Sequence, residues 1–169
     1  MDWPLVIVHW LHVFFGIFWF GGSLYVNFVM VPAILTLPSD RQMPVIDAIT
    51  GRSDRILPWV GAVTIALGIV LGTIVGPIKD VAALSSTYGI LWLVGLVAAV
   101  ATWIWGEVMI GRVGRRLSEV SAQVSAGAVA LSPDLARLAD RLKFAALAEM
   151  VGFLVVFTAM VLMNVVGAP

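Results

Sequence analysis

The sequence predicts an all-α integral membrane protein, an antiparallel bundle of four transmembrane helices with a short interfacial helix between the first and second. Three observations predict it. Of 169 residues, 61% are hydrophobic and only 12% charged, and the mean hydropathy of +1.04 is far above what a water-facing surface tolerates. Four apolar runs, near residues 5–31, 57–75, 88–110 and 144–166, each reach the roughly 20 residues needed to cross the hydrocarbon core. None of them alternates with the period of two that a barrel strand requires.

In the first run, Pro4 suits an opening helical turn, and Trp3 and Trp10 suit a membrane interface. The run is too long for a signal-peptide core, follows Asp2 instead of a basic flank and lacks a small-residue cleavage site, so it is expected to be retained. The helix is expected to end near Pro32. Phe14, Phe15, Phe18, Trp19 and Phe20 surround the helix instead of forming one stripe, so some of them must face lipid.

Between Pro38 and Pro58 lies the polar stretch SDRQMPVIDAITGRSDR. Its Met43, Val45, Ile46 and Ile49 make one partly apolar helical face, hence the expected short helix on the membrane surface, with an ordered loop as the alternative. The second run carries Gly61, Gly68 and Gly72, a small-residue pattern that permits close helix approach in lipid or admits a flat cofactor. GPIKD makes a turn, after which the third helix is expected to run on toward Val120. SAGAVALSPD is the expected flexible point. Ser132 then reads as an N-cap with Pro133 in the first turn of a helix that continues into the fourth span. No repeat, low-complexity tail or second domain interrupts residues 1–169.

The formal net charge is zero, but the charges are unevenly placed. Arg41, Arg52 and Arg55 lie between the first two spans, six further basic residues from Arg112 to Lys143 lie between the last two, and Lys79 alone lies on the other side. The positive-inside rule then places both basic connections in the cytoplasm and both termini outside a bacterial-type inner membrane. Basic residues flanking spans orient the chain and meet anionic lipid, so nucleic acid is not an expected partner. The absence of cysteine excludes disulfides, thiolate metal sites, iron–sulfur ligation and covalent haem attachment.

Chemistry therefore rests on few residues. His9 and His12, the only histidines, sit in HWLHVFFGIFWFGG, and an ionisable side chain within a span is by default functional. Three apart on one helix, they cannot take opposite axial positions on one haem iron. Gly16, one turn below His12, would leave a gap beneath the imidazole, and His9 stands nearer the interface, at the entrance. His12, roughly 12 Å below Pro4, matches the depth of Thr158 to Met160 on the fourth helix, which makes Met160 the methionine candidate for a second ligand. The alternatives are a histidine hydrogen-bonded to a neighbouring helix and a gap-filling methionine.

A second group gathers at the opposite end: Glu107, Glu149 and Asn27, with Arg52 and Arg55 entering the membrane beside them. A carboxylate in a span is costly unless paired, so Glu107 or Glu149 is expected to meet Arg52, Arg55 or Arg112, either as a structural clamp or as a proton relay at a substrate mouth. Trp103 and Trp105 lie too deep to be purely interfacial, and at least one is expected to hydrogen-bond internally or to stack on another group.

LHVFFGIFWFGGSLY, with Leu11, His12, Trp19, Phe20, Gly22 and Tyr25, resembles the first helix of the HemJ protoporphyrinogen oxidase family. Arg52, Arg55 and Glu149 look similar too, whereas Val26 and Asn27 stand where that family usually has an arginine. The same segment is similar to the copper-resistance CopD membrane domain. The HemJ resemblance implies a haem b with His12 as axial ligand and porphyrinogen oxidation, with electrons passed to an acceptor such as quinone. His12, His9, Gly16, Trp19 and Met160 would then form the cofactor site, with His12 and Met160 as metal ligands and Glu107, Glu149, Arg52 and Arg55 as the catalytic set. With no third histidine, a missing ligand could come from a second subunit of a homodimer. A copper-binding or transport protein and a noncatalytic membrane partner subunit are the other expectations.

Overall fold

The computed structural model describes residues 2–112, 115, 116, 119 and 133–167. Among these the regular elements are all helical: α1 (Trp3–Tyr25), α2 (Val31–Leu35), α3 (Ser39–Thr73), α4 (Thr87–Trp105) and α5 (Pro133–Val166). Four helical stretches are long and apolar enough to cross a membrane: Trp3–Ile34, Arg55–Thr73, Thr87–Met109 and Asp140–Val166. They match the four expected spans to within a few residues.

The Asp2 side chain caps α1 by accepting from the Leu5 N–H at 3.3 Å. As expected, the helical course ends near Pro32, at Leu35. A π-helical turn, Val26–Met30, joins α1 to α2, and Val31 N–H bonds to the Val26 carbonyl, five residues back. This wider turn lets the backbone pass a proline that has no N–H to donate and whose ring would crowd the preceding turn. A second π turn, Gly106–Ile110, extends α4 in the same way.

The segment expected as a separate short helix is helical but continuous with the second span, giving the 35-residue α3 with Pro44 and Pro58 inside it. At 1.5 Å per residue α3 is about 52 Å long, well beyond a ~30 Å hydrocarbon core, so its first turns project past the apolar layer. At its other end the Lys79 ammonium donates to the carbonyls of Thr73 (3.0 Å) and Ile74 (2.7 Å), which the terminated helix leaves unpaired. A short 3₁₀ segment, Ala82–Ser85, follows, and Ser86 caps α4 through its hydroxyl oxygen, 3.0 Å from Gly89 N. Pro133 opens α5, which runs unbroken through the fourth span as anticipated. Residues 111, 112, 115, 116 and 119 are helical; the rest of the expected extension to Val120 and the SAGAVALSPD connection as far as Ser132 lie outside the described residues.

Neighbouring helices pack in chain order, α1 on α3, α3 on α4 and α4 on α5. The contacts run in opposed numerical order. His12 meets Thr64 and Gly68 whereas Gly22 faces Leu57, and Trp92 meets Gly72 whereas Trp103 meets Gly61. On α5, Ala159 sits against Gly95 and Glu149 against Gly106. The core is a small aromatic layer of Trp19, Val60 and Phe153, with the Trp19 and Phe153 rings edge to face at 4.9 Å. Phe14 and Phe18 are exposed and Phe15 and Phe20 half-buried, so the aromatic run does divide between core and the outward face.

Candidate functional site

The glycines of α3 turn out to be seats for rings. A Cβ at Gly61 would lie 2.7 Å from Trp103 and 3.0 Å from Trp19, one at Gly68 would lie 3.0 Å from His12 Cε1, and one at Gly72 would collide with the Trp92 indole. The pattern read from the sequence as close helix approach or a cofactor bed is instead filled by side chains of α1 and α4. Three of these rings also donate to α3 backbone carbonyls: Trp103 Nε1 to Pro58 (2.9 Å), Trp92 Nε1 to Gly68 (3.2 Å) and His12 Nδ1 to Thr64 (2.9 Å). In an apolar surround without water, a ring N–H must find a protein acceptor, and a carbonyl already in a helix has a second lone pair to offer. Trp105 does the same on α5, donating to Ala145 at 2.9 Å, so both deep tryptophans are internally bonded.

His12 is thus held at two points, by the Thr64 carbonyl and by the notch at Gly68. Donation through Nδ1 fixes the tautomer and leaves the lone pair on Nε2. The bond of His12 to α3 is made through Nδ1, so Nε2 is not spent on it. Gly16 does not leave the open space expected beneath the imidazole: a Cβ there would stand 3.7 Å from the Thr64 methyl, so α3 occupies that gap. Trp19 is a core residue, 6% exposed, covered by Phe153 and the Gly61 notch. His9 is exposed.

Met160 relates to His12 through register. Trp19 meets Phe153, and stepping seven residues back along α1 and seven forward along α5 brings His12 and Met160 to one level on the corresponding faces. Both are half-buried, and no contact between them is described. Among the described residues no three His, Asp or Glu side chains converge as a metal-binding group.

At the other end of the core layer, Glu149 is buried, 8% exposed, with Oε1 directed at Gly106, where a Cβ would stand 3.0 Å away. Glu107, in the π turn, is exposed and close enough to interact electrostatically with Glu149. Of the two acids expected to meet an arginine, Glu107 or Glu149, the buried Glu149 has no ion pair with Arg52, Arg55 or Arg112 among the described residues, and those arginines are exposed. The reason is register. The glycine and the widened turn of α4 bring another acid to Glu149, while the arginines extend outward from the helix ends. Ser23 is buried one turn from Trp19, as Glu149 is one turn from Phe153, so these two polar residues lie at one level.

Sequence reasoning missed Thr64 and Thr102, the other buried polar side chains, because threonine in an apolar helix carries no signal by itself. Thr64 satisfies its hydroxyl on the Val60 carbonyl at 2.8 Å, and Thr102 packs against Gly152. It also missed the two π turns, although proline two residues after the first and glycine at the start of the second are visible marks. No family model, curated protein or solved structure matches the chain.

Proposed function

We propose that this chain is an integral protein of a bacterial-type inner membrane, an antiparallel four-span bundle that binds haem b through Nε2 of His12 and serves electron transfer or porphyrinogen-type oxidation. The observation that carries the proposal is the 2.9 Å bond from His12 Nδ1 to the Thr64 carbonyl, the outer-sphere contact that orients a ligating histidine and raises its basicity. His12 would hold the iron of such a haem through Nε2, and the Met160 thioether, at the same level, would be the second donor. The Gly16 face does not suit the haem, because Thr64 fills that space.

When bound, such a haem would supply one-electron chemistry. The protein's own part is to hold the imidazole in one tautomer through the Thr64 carbonyl and to provide an apolar surround. The opposed order of the helix contacts supports the antiparallel topology. The arginines at the α1–α3 and α4–α5 connections support cytoplasmic placement of those ends, with both termini outside. The first turns of α3, projecting beyond the apolar layer with half-buried Val45, Ile46 and Ile49, are suited to lie against the inner headgroups. A second subunit would be needed only if the iron takes a protein ligand other than Met160; porphyrinogen or quinone would be the redox partner.

The test is the absorption spectrum of protein purified in detergent from haem-replete cells, before and after dithionite. A Soret band that shifts on reduction and is lost in His12→Ala but retained in His9→Ala is expected. A colourless protein would overturn the proposal, and stoichiometric copper bound in its place would favour a copper-handling role through His9, His12 and methionine.

A further inference from the structure

We propose that Glu149 is a proton-loading site, a buried carboxyl that takes up and releases a proton by way of Glu107 at the arginine-rich end of the bundle. The proposal is independent of haem.

Three separate features of the fold converge on it. Glu149 is more than nine-tenths buried, yet neither a hydrogen bond nor an ion pair to it is described, so nothing in the fold spends its carboxyl on structure. The side chain is sunk into the bundle, with Oε1 facing Gly106.

The backbone of α4 is shaped around it. Gly106 has no side chain where one would press on Glu149 Oε1 at 3.0 Å, and the π turn Gly106–Ile110 starts at that residue. Single π turns inside helices recur at functional sites because they re-aim a side chain without ending the helix. Here the re-aimed residue is Glu107, exposed at the end of the bundle and in electrostatic contact with Glu149.

The surroundings favour a proton over a fixed countercharge. Glu107 is the charged group that faces Glu149 from the π turn; α1 offers the uncharged Ser23 at that level, and Trp105 on α4 is committed to the Ala145 carbonyl. Arg52 and Arg55 of α3 and Arg112 beyond the π turn are exposed and form no described pair with Glu149. A carboxylate buried in an apolar layer beside a second acid holds a full charge only at high cost. One proton on Glu149 removes that cost. The transfer is a plain acid–base step: the O–H bond of the Glu149 carboxyl breaks, the proton passes to the Glu107 carboxylate or to water at its side, and no electrons change hands. Beyond Glu149 the Trp19–Val60–Phe153 layer separates it from Thr64 and His12, so the site loads from one end.

Dicyclohexylcarbodiimide, an apolar reagent that adds only to protonated carboxyls, tests this on the intact protein in lipid nanodiscs at neutral pH. The expected result is an adduct mapped by peptide mass spectrometry to Glu149 in the wild-type chain, absent in Glu149→Gln, and fading as the pH is raised. Glu107→Gln should shift that pH profile, since it removes the neighbouring acid, whereas a merely structural Glu107 would leave it unmoved. An unlabelled Glu149 in the folded wild-type protein, or labelling confined to Glu107, overturns the proposal; neither depends on any variant folding or on the presence of haem.

Discussion

Gly61→Ala tests the packing of the whole bundle at one atom. The added methyl would sit 2.7 Å from Trp103 Cδ1 and 3.0 Å from Trp19 Cε2, distances at which something must move. Neither ring can give cheaply. Trp103 is tied to the Pro58 carbonyl at 2.9 Å, and Trp19 is wedged edge to face against Phe153 at 4.9 Å. Overpacking of this kind costs about 1–3 kcal/mol. A strained Trp103 bond adds roughly 0.6–2 kcal/mol if it breaks, the range for hydrogen bonds between helices in lipid. Alanine repays about 1 kcal/mol in helix propensity. With the bond broken, the net expectation is a loss of about 0.6–4 kcal/mol, from those same ranges. Gly21→Ala is the internal control: it gains the same propensity and its Cβ would meet nothing within 4 Å, so it should leave stability unchanged or raise it. Reversible unfolding in mixed detergent, followed by tryptophan fluorescence, gives both values. A Gly61→Ala protein as stable as Gly21→Ala would refute the seating of two indoles in that notch.

Gly68→Ala should push the His12 ring from its notch and weaken its bond to Thr64. Nitrogen NMR of labelled histidine then shows loss of the fixed Nδ1–H tautomer, while Gly16→Ala, facing Thr64 at an ordinary 3.7 Å, leaves it in place. Trp92→Phe removes the donor to the Gly68 carbonyl and should cost about 0.6–2 kcal/mol in the same unfolding assay. Ser86→Ala removes the cap of α4 and should cost about 0.5–2 kcal/mol, with Ser86→Asp restoring most of it. Gly152→Ala, whose new methyl would run into the Thr102 hydroxyl, should loosen the α4–α5 contact, read as faster proteolysis of the intervening connection.

The four spans were legible because apolar length is a local property. The hydrocarbon thickness sets the number of residues, and each run can be counted without reference to any other. The continuity of α5 after Pro133 is similarly local. The π turn before Pro32 was less legible. A chain in lipid keeps its backbone bonded past a proline by widening the preceding turn, since an unpaired carbonyl there has no water to turn to.

The sequence by itself determined that His12 and Glu149 are costly in their spans and so need partners; it did not determine which. Partnership depends on which face of each helix meets which neighbour, and a helix hydrophobic all round leaves its rotation open. The tertiary structure decided that rotation. It turned Gly61, Gly68 and Gly72 into seats for Trp103, His12 and Trp92, gave His12 a carbonyl of α3, and gave Glu149 a glycine and a second acid in place of the arginine that charge pairing alone would have chosen. Ring shape and backbone lone pairs, which a string of apolar letters does not display, settled those pairings.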